Sequence, residues 1–136
     1  MSSIFHYAFK VKDLASTRAF YIDILGCEEG RSTDTWVDFD FFNNQLSAHI
    51  GSVDALDYCG KVDGVSVPIP HFGCVLAPEQ FSILAQKLEQ AKVEFIIKPQ
   101  LRYQGKRGQQ QTMFVLDFSG NPLEFKSFED ETEVFV

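Results

Sequence analysis

The feature that most constrains this chain is that its pattern is written twice. Ile4 to Val11 alternates around His6 and Ala8 as a strand does. Asp13 is placed to cap a helix whose apolar stripe is Phe20, Tyr21, Ile24 and Leu25, and Gly26 stands where its C-terminal cap belongs. "TWVDFDFF" puts Trp36, Asp38, Asp40 and Phe42 on one face and Val37, Phe39 and Phe41 on the other. "NNQ" marks a turn, and Leu46 to Ile50 reads as the next strand, carrying His49. The order then restarts. "HFGCVL" is a strand, and Pro78 suits the first turn of a helix. Phe81, Leu84, Ala85 and Leu88 follow helical spacing. "VEFIIK", "TMFVLDF" and "PLEFKSF" are strands.

Two details support the repeat. Both halves open with His followed by an aromatic residue, at His6-Tyr7 and His71-Phe72. Both contain Asp-Phe-x-x-Asn-x-Leu, at Asp40–Leu46 and Asp117–Leu123, where Asp and Asn supply the turn between the last two strands. Each half therefore reads as a βαβββ module, the first over about 4–50 and the second over about 71–128. Residues 51–70 form a long connection between them, 98–111 a Gly-, Gln- and Arg-rich loop, and 129–136 an acidic, peripheral tail. The fold class is α+β: two tandem modules make an open, concave, barrel-like mixed sheet with the helices outside.

Length fits this as a single domain, 1–136. The 136 residues are 45% hydrophobic and include 14 Phe, enough for a packed core. A net charge of −7 without a basic stripe argues against nucleic acid and anionic membrane as partners. No apolar run is long enough to span a bilayer, and no signal segment opens the chain. Cys27, Cys59 and Cys74 lie far apart, outside any Cys-x-x-Cys pattern, and read as small core residues in a reducing cytoplasm.

The repeat also aligns candidates for chemistry. His6 and His71 open the two modules, and Glu124 lies on the last strand of the second. Ser47 stands at the matching place in the first, and His49, two residues on, shares its face. Glu124 sits between Leu123 and Phe125, which go to the packed face. It turns the opposite way, with no fixed cation near it in the sequence to offset its charge. If the two concave sheets face each other, His6, His71 and Glu124 converge, with His49 a further candidate. Two imidazoles and one carboxylate make the facial triad of non-haem Fe(II) sites, and with a fourth ligand the set also suits Zn, Ni, Co or Mn.

The paired modules and the closing "DFSGNPLEF" resemble the vicinal oxygen chelate superfamily of glyoxalases, bleomycin resistance proteins and extradiol dioxygenases. The likeness runs over about 4–128 and is nearest to small extradiol-type members. It departs from the commoner Asp-Pro-Ser-Gly-Asn in having Phe118 for Pro, which lets the strand run one residue further. The resemblance implies metal ligands at His6, His71 and Glu124, with Fe(II) favoured. His49 becomes a fourth ligand or an acid/base group, with Tyr103 as a second catalytic candidate. Arg102, Lys106 and Arg107 would meet a negatively charged small-molecule substrate. It implies a homodimer, and an extradiol-type dioxygenase ahead of a lyase or isomerase; a non-catalytic drug-binding protein comes last, since bleomycin-binding members lack these ligands.

Overall fold

Each half of the chain forms one four-stranded mixed sheet in the computed structural model, which describes residues 3–136. The first contains β1 (His6–Val11), α1 (Leu14–Arg18) continuing as a π-helical segment (Ala19–Ile24), β2 (Glu28–Ser32), β3 (Trp36–Phe41) and β4 (Asn44–Ile50). A hairpin, β5 (Gly60–Val62) and β6 (Val65–Val67), follows. The second half contains β7 (Phe72–Val75), α2 (Pro78–Gln90), β8 (Phe95–Arg102), β9 (Gln110–Leu116) and β10 (Pro122–Phe128), then a short 3-10 turn (Glu131–Glu133). The strand orders are β1-β4-β3-β2 and β7-β10-β9-β8, the same topology twice, as the repeat predicts. Each sheet is open. Among the described residues, no helix is long and apolar enough to cross a membrane.

Two compact units result. One comprises the residues up to Asp54 together with Asp117–Asn121; the other comprises Ala55–Leu116 and Pro122 onward. In the first, the Asp13 side chain accepts from Ser16 N at 2.7 Å and starts α1 as a cap should. Leu25 N reaches back five residues to the Phe20 carbonyl, and Gly26, at φ 77°, ends the segment. This widened turn buries Phe20 and Tyr21 completely, and the Tyr21 ring stacks on Phe39 at 5.3 Å.

Within this unit the 117–121 turn explains its own motif. Asp117, buried, accepts from the backbone N–H of Ser119 (2.9 Å) and Asn121 (2.8 Å), from Tyr21 Oη–H (2.8 Å) and from Asn121 Nδ2 (3.1 Å). Asn121 Nδ2 also donates to the Lys10 carbonyl, and Ser119 Oγ accepts from Lys12 N. Burial, then the Asp117 charge, pushes the Tyr21 hydroxyl well above its ordinary range, so it stays a donor. The strand does not run on at Phe118: β9 stops at Leu116 because Asp117 begins the turn, and Phe118 packs edge-on against Phe20 at 5.4 Å.

In the second unit α2 begins at Pro78 and buries Phe81, Leu84 and Leu88 on the β10 side, where Leu123 and Phe125 are inaccessible. Burying each such side chain contributes roughly 1.5–3 kcal/mol. The opposite face of this sheet is partly covered by the β5–β6 hairpin, so the stretch read as a connection over 51–70 contains structure of its own. Val62 and Val67 of the hairpin form a buried cluster with Ile97 and Phe114. Its turn places Asp63 (φ 48°) and Gly64 (φ 80°) in the left-handed region, as a two-residue hairpin requires. The region read as a loop from 98 to 111 is also shorter. Pairing continues through Gln100–Thr112, Leu101–Gln111 and Arg102–Gln110, helped by irregularities in β8, so only 103–109 lie outside the strands. The acidic tail is tied to the 103–109 turn: Glu133 Oε1 accepts from Gly108 N at 2.7 Å, Glu129 Oε2 accepts from Gln109 Nε2 at 2.6 Å, and Glu129 N donates to the Gln109 carbonyl at 3.2 Å.

Candidate metal centre

The parallel pairing of β7 with β10 sets Glu124 opposite Gly73, so His71, two residues before Gly73, points to the same face. His71 Nε2 lies 3.3 Å from Glu124 Oε1. Gly73 makes this approach possible: a Cβ there would collide with the Glu124 backbone carbonyl. His71 Nδ1 is 2.7 Å from the Pro68 carbonyl, which can only accept, so Nδ1 carries the hydrogen. The ring also packs edge-on against Phe114 at 4.6 Å. The other Glu124 oxygen, Oε2, accepts from Thr112 Oγ1 at 2.7 Å.

These bonds fix two side chains and the His71 tautomer. With Nδ1–H held by Pro68, the lone pair of a neutral His71 ring points at a carboxylate oxygen. That contact is favourable only with a proton or a metal cation between them. Hydrogen bonding to Glu124 raises His71 above its ordinary 6.5, against the opposing effect of burial. Burial pushes Glu124 upward, but the hydrogen bonds from His71 and Thr112 and the Lys126 charge outweigh it and hold it below its ordinary 4.5. His71 Nε2 and Glu124 Oε1 are two donors of the kind a divalent metal takes. Among the described residues, no group of three or more His, Cys, Asp or Glu side chains is gathered around one point; the structure brings together His71 and Glu124.

One expectation about Glu124 is corrected. A fixed cation does stand near it: Lys126, two residues on and on the same face, places Nζ 3.9 Å from Oε1. The period of two made this legible in "LEFK". Thr112, Phe114 and the Pro68 carbonyl were also missed, because each reaches the site through pairing or a chain reversal.

The first sheet supplies the comparison. Ala8 pairs with Ser47 as Gly73 pairs with Glu124, so Ser47 is the counterpart of Glu124 and His49 that of Lys126. Ser47, buried, donates to Asp38 Oδ1 at 2.6 Å. His6 is exposed and pairs with Gln45. An open cleft of about 990 Å³ runs along this polar face, lined by Ile4, Arg31, Asp38, Asp40, Asn44 and Gln45. His49 is exposed, 6.1 Å from the Trp36 ring.

The remaining candidates are placed as follows. Arg102 ends β8 rather than lying in a loop. Its guanidinium pairs with Asp63 at 3.3 Å and lies over the Tyr103 ring at 4.8 Å. Tyr103, Lys106 and Arg107 are exposed in the 103–109 turn. The three cysteines are free thiols, and burial, then the Asp40 charge, pushes Cys27 up to about 12.

The fold is shared with solved proteins. A glyoxalase/bleomycin resistance protein/dioxygenase from Alicyclobacillus acidocaldarius is 30% identical, with 98% of this chain and 97% of that one aligned at a TM-score of 0.80. The fosfomycin resistance protein FosX from Listeria monocytogenes is 22% identical, over 98% of both chains, at 0.72. Lactoylglutathione lyase from Agrobacterium tumefaciens is 16% identical, over 93% and 94%, at 0.63. No curated protein matches the sequence significantly. Residues 3–125 match the model of the Glyoxalase/Bleomycin resistance protein/Dioxygenase superfamily, and the chain belongs to that superfamily.

Proposed function

We propose that this chain is a metal-dependent enzyme acting on adjacent oxygens of a small molecule, and that its reaction is extradiol-type ring cleavage with Fe(II). The observation that carries this is the His71–Glu124 pair, whose Nε2 and Oε1 face each other at 3.3 Å while Pro68 and Thr112 occupy the other nitrogen and the other oxygen. His71 and Glu124 would hold the metal, with His6 from β1 as the third ligand. The counterpart of Glu124 in the first sheet is a serine already bonded to Asp38, which favours three protein ligands over four. Such a set leaves coordination positions open for substrate and O₂, and the metal when bound supplies a Lewis acid for the substrate oxygens.

The chain's own residues do the rest. Pro68 keeps the His71 hydrogen on Nδ1, Thr112 keeps Glu124 turned toward His71, and Phe114 shields one side of the imidazole from water. His49 serves as the acid/base group near neutral pH, with Tyr103 as a further proton carrier. Lys106 and Arg107 meet negative charge on the substrate, and Arg102 orders Tyr103 beneath it. The two units act as one functional domain, in a cytoplasmic homodimer.

A second reading is a redox-neutral lyase or isomerase using Zn, Ni, Co or Mn on the same ligands. The names of the two more distant structures, a fosfomycin resistance protein and a lactoylglutathione lyase, support it. Metal analysis of protein purified without added metal, followed by anaerobic Fe(II) loading and O₂ uptake over a panel of diols, separates the readings. The expected result is one iron per chain and O₂ consumption with an aromatic diol. Full iron loading without uptake across the panel moves the assignment to the redox-neutral reaction, and failure to bind any metal leaves a binding protein.

A further inference from the structure

We infer that Lys126 anchors the substrate, and that the substrate carries a carboxylate beside its adjacent oxygens. This rests on the metal-dependent reading above and deepens it. Lys126 Nζ stands 3.9 Å from Glu124 Oε1, beyond hydrogen-bond reach, and among the described residues it makes no hydrogen bond. Its side chain is 37% exposed, on the same face as His71 and Glu124. The row in which it lies is Val75, Lys126, Thr112, and the row beside it is Gly73, Glu124, Phe114. Phe114 fills the β9 side of Glu124, and on the β7 side the Glu124 backbone carbonyl takes the place a Gly73 Cβ would need. A ligand at Glu124 Oε1 lies within reach of the ammonium, whose nitrogen is 3.9 Å from that oxygen.

The charges decide what that ligand is. Glu124 Oε1 is the one oxygen facing both His71 Nε2 and Lys126 Nζ, because Thr112 holds the other. A divalent cation at that oxygen takes the negative charge that Lys126 faces and sets two positive charges close together. An anionic group on the substrate restores the balance through a charge-assisted hydrogen bond. With Arg102, at the end of β8, already paired with Asp63, Lys126 offers a single positive charge, which a singly charged carboxylate matches.

The test compares catechol with 3,4-dihydroxybenzoate by calorimetry on the Zn(II)-loaded full chain, where no turnover consumes the ligand. The carboxylated diol is expected to bind about tenfold or more tightly, as charge-assisted hydrogen bonds imply, and the preference should shrink as salt is raised. Lys126→Met should bring the ratio of the two affinities toward one, and Lys126→Arg should retain most of it. Equal affinities in the unaltered protein, or a preference that survives Lys126→Met, overturns the inference and leaves the metal centre standing. Failure of the unaltered protein to bind Zn(II) overturns the metal centre and the inference together.

Discussion

The two sheets have one topology and one register but different contents. In the second, the position opposite Gly73 is Glu124, buried, hydrogen-bonded by Thr112 and faced by a histidine whose tautomer Pro68 fixes. In the first, the position opposite Ala8 is Ser47, tied to Asp38, beside an exposed His6. The repeat supplies equivalent places on a scaffold; the side chains make one place a rigid histidine–carboxylate pair and the other an open polar face. The same split shows in the shared Asp-Phe-x-x-Asn-x-Leu turns. Asp117 accepts four hydrogen bonds, whereas Asp40 accepts one, from Asn43 N at 2.8 Å.

The largest expected contrast is in metal binding. Glu124→Ala and His71→Ala should each abolish stoichiometric metal, measured by elemental analysis after dialysis, while Ser47→Ala should retain it. Metal retained at full occupancy by His71→Ala would break the asymmetry between the sheets.

Next comes backbone approach. Gly73→Ala should destabilise the protein by roughly 2–4 kcal/mol in urea unfolding, because its Cβ meets the Glu124 carbonyl and the strands must separate. Ala8→Gly, at the matching place, should cost only about 0.5–1 kcal/mol from added chain entropy. The turns follow: Asp117→Asn should cost about 1–3 kcal/mol, since Tyr21 and two backbone N–H groups lose a charged acceptor, and Asp40→Asn about 1 kcal/mol or less.

The smallest effect is on pH. In metal-free protein the raised pKa of His71 gives stability that is fully present below about 6.5 and is lost as pH rises through the folded value. The lowered pKa of Glu124 gives stability that is present above about 4.5 and lost as pH falls through its folded value. Metal affinity should change the other way on the alkaline side, rising about tenfold per pH unit until His71 is neutral, because the metal displaces its proton. Replacing His71 by Ala should flatten the alkaline limb of the stability profile; a limb left intact would assign it to another group.

Much of this was legible in the sequence because the signals are local. Strand alternation, Asp13, Gly26 and Pro78 marked the elements, and the period of two put Glu124 opposite Leu123 and Phe125. What was not legible depends on pairing across distance. Only the β7–β10 register reveals that His71 meets Glu124 and that Gly73 permits it. Thr112 reaches Glu124 through the β9–β10 register, in which the two are offset across the strands. The hairpin within 51–70 was signalled by Asp63-Gly64 between valines, and was overlooked because glycines and prolines around it read as linker. Arg102 looked available for substrate because its partner, Asp63, is far away in sequence.

The central claim is that His71 and Glu124 are the fixed half of a metal centre. A crystal structure of protein loaded with Fe(II) under anaerobic conditions, or with Zn(II), tests it directly through the anomalous signal. The account predicts a metal between His71 Nε2 and Glu124 Oε1, at roughly 2.0–2.2 Å from each, with His6 as the third protein ligand. A loaded crystal in which those two atoms still face each other at hydrogen-bond distance, with the metal elsewhere, would contradict it.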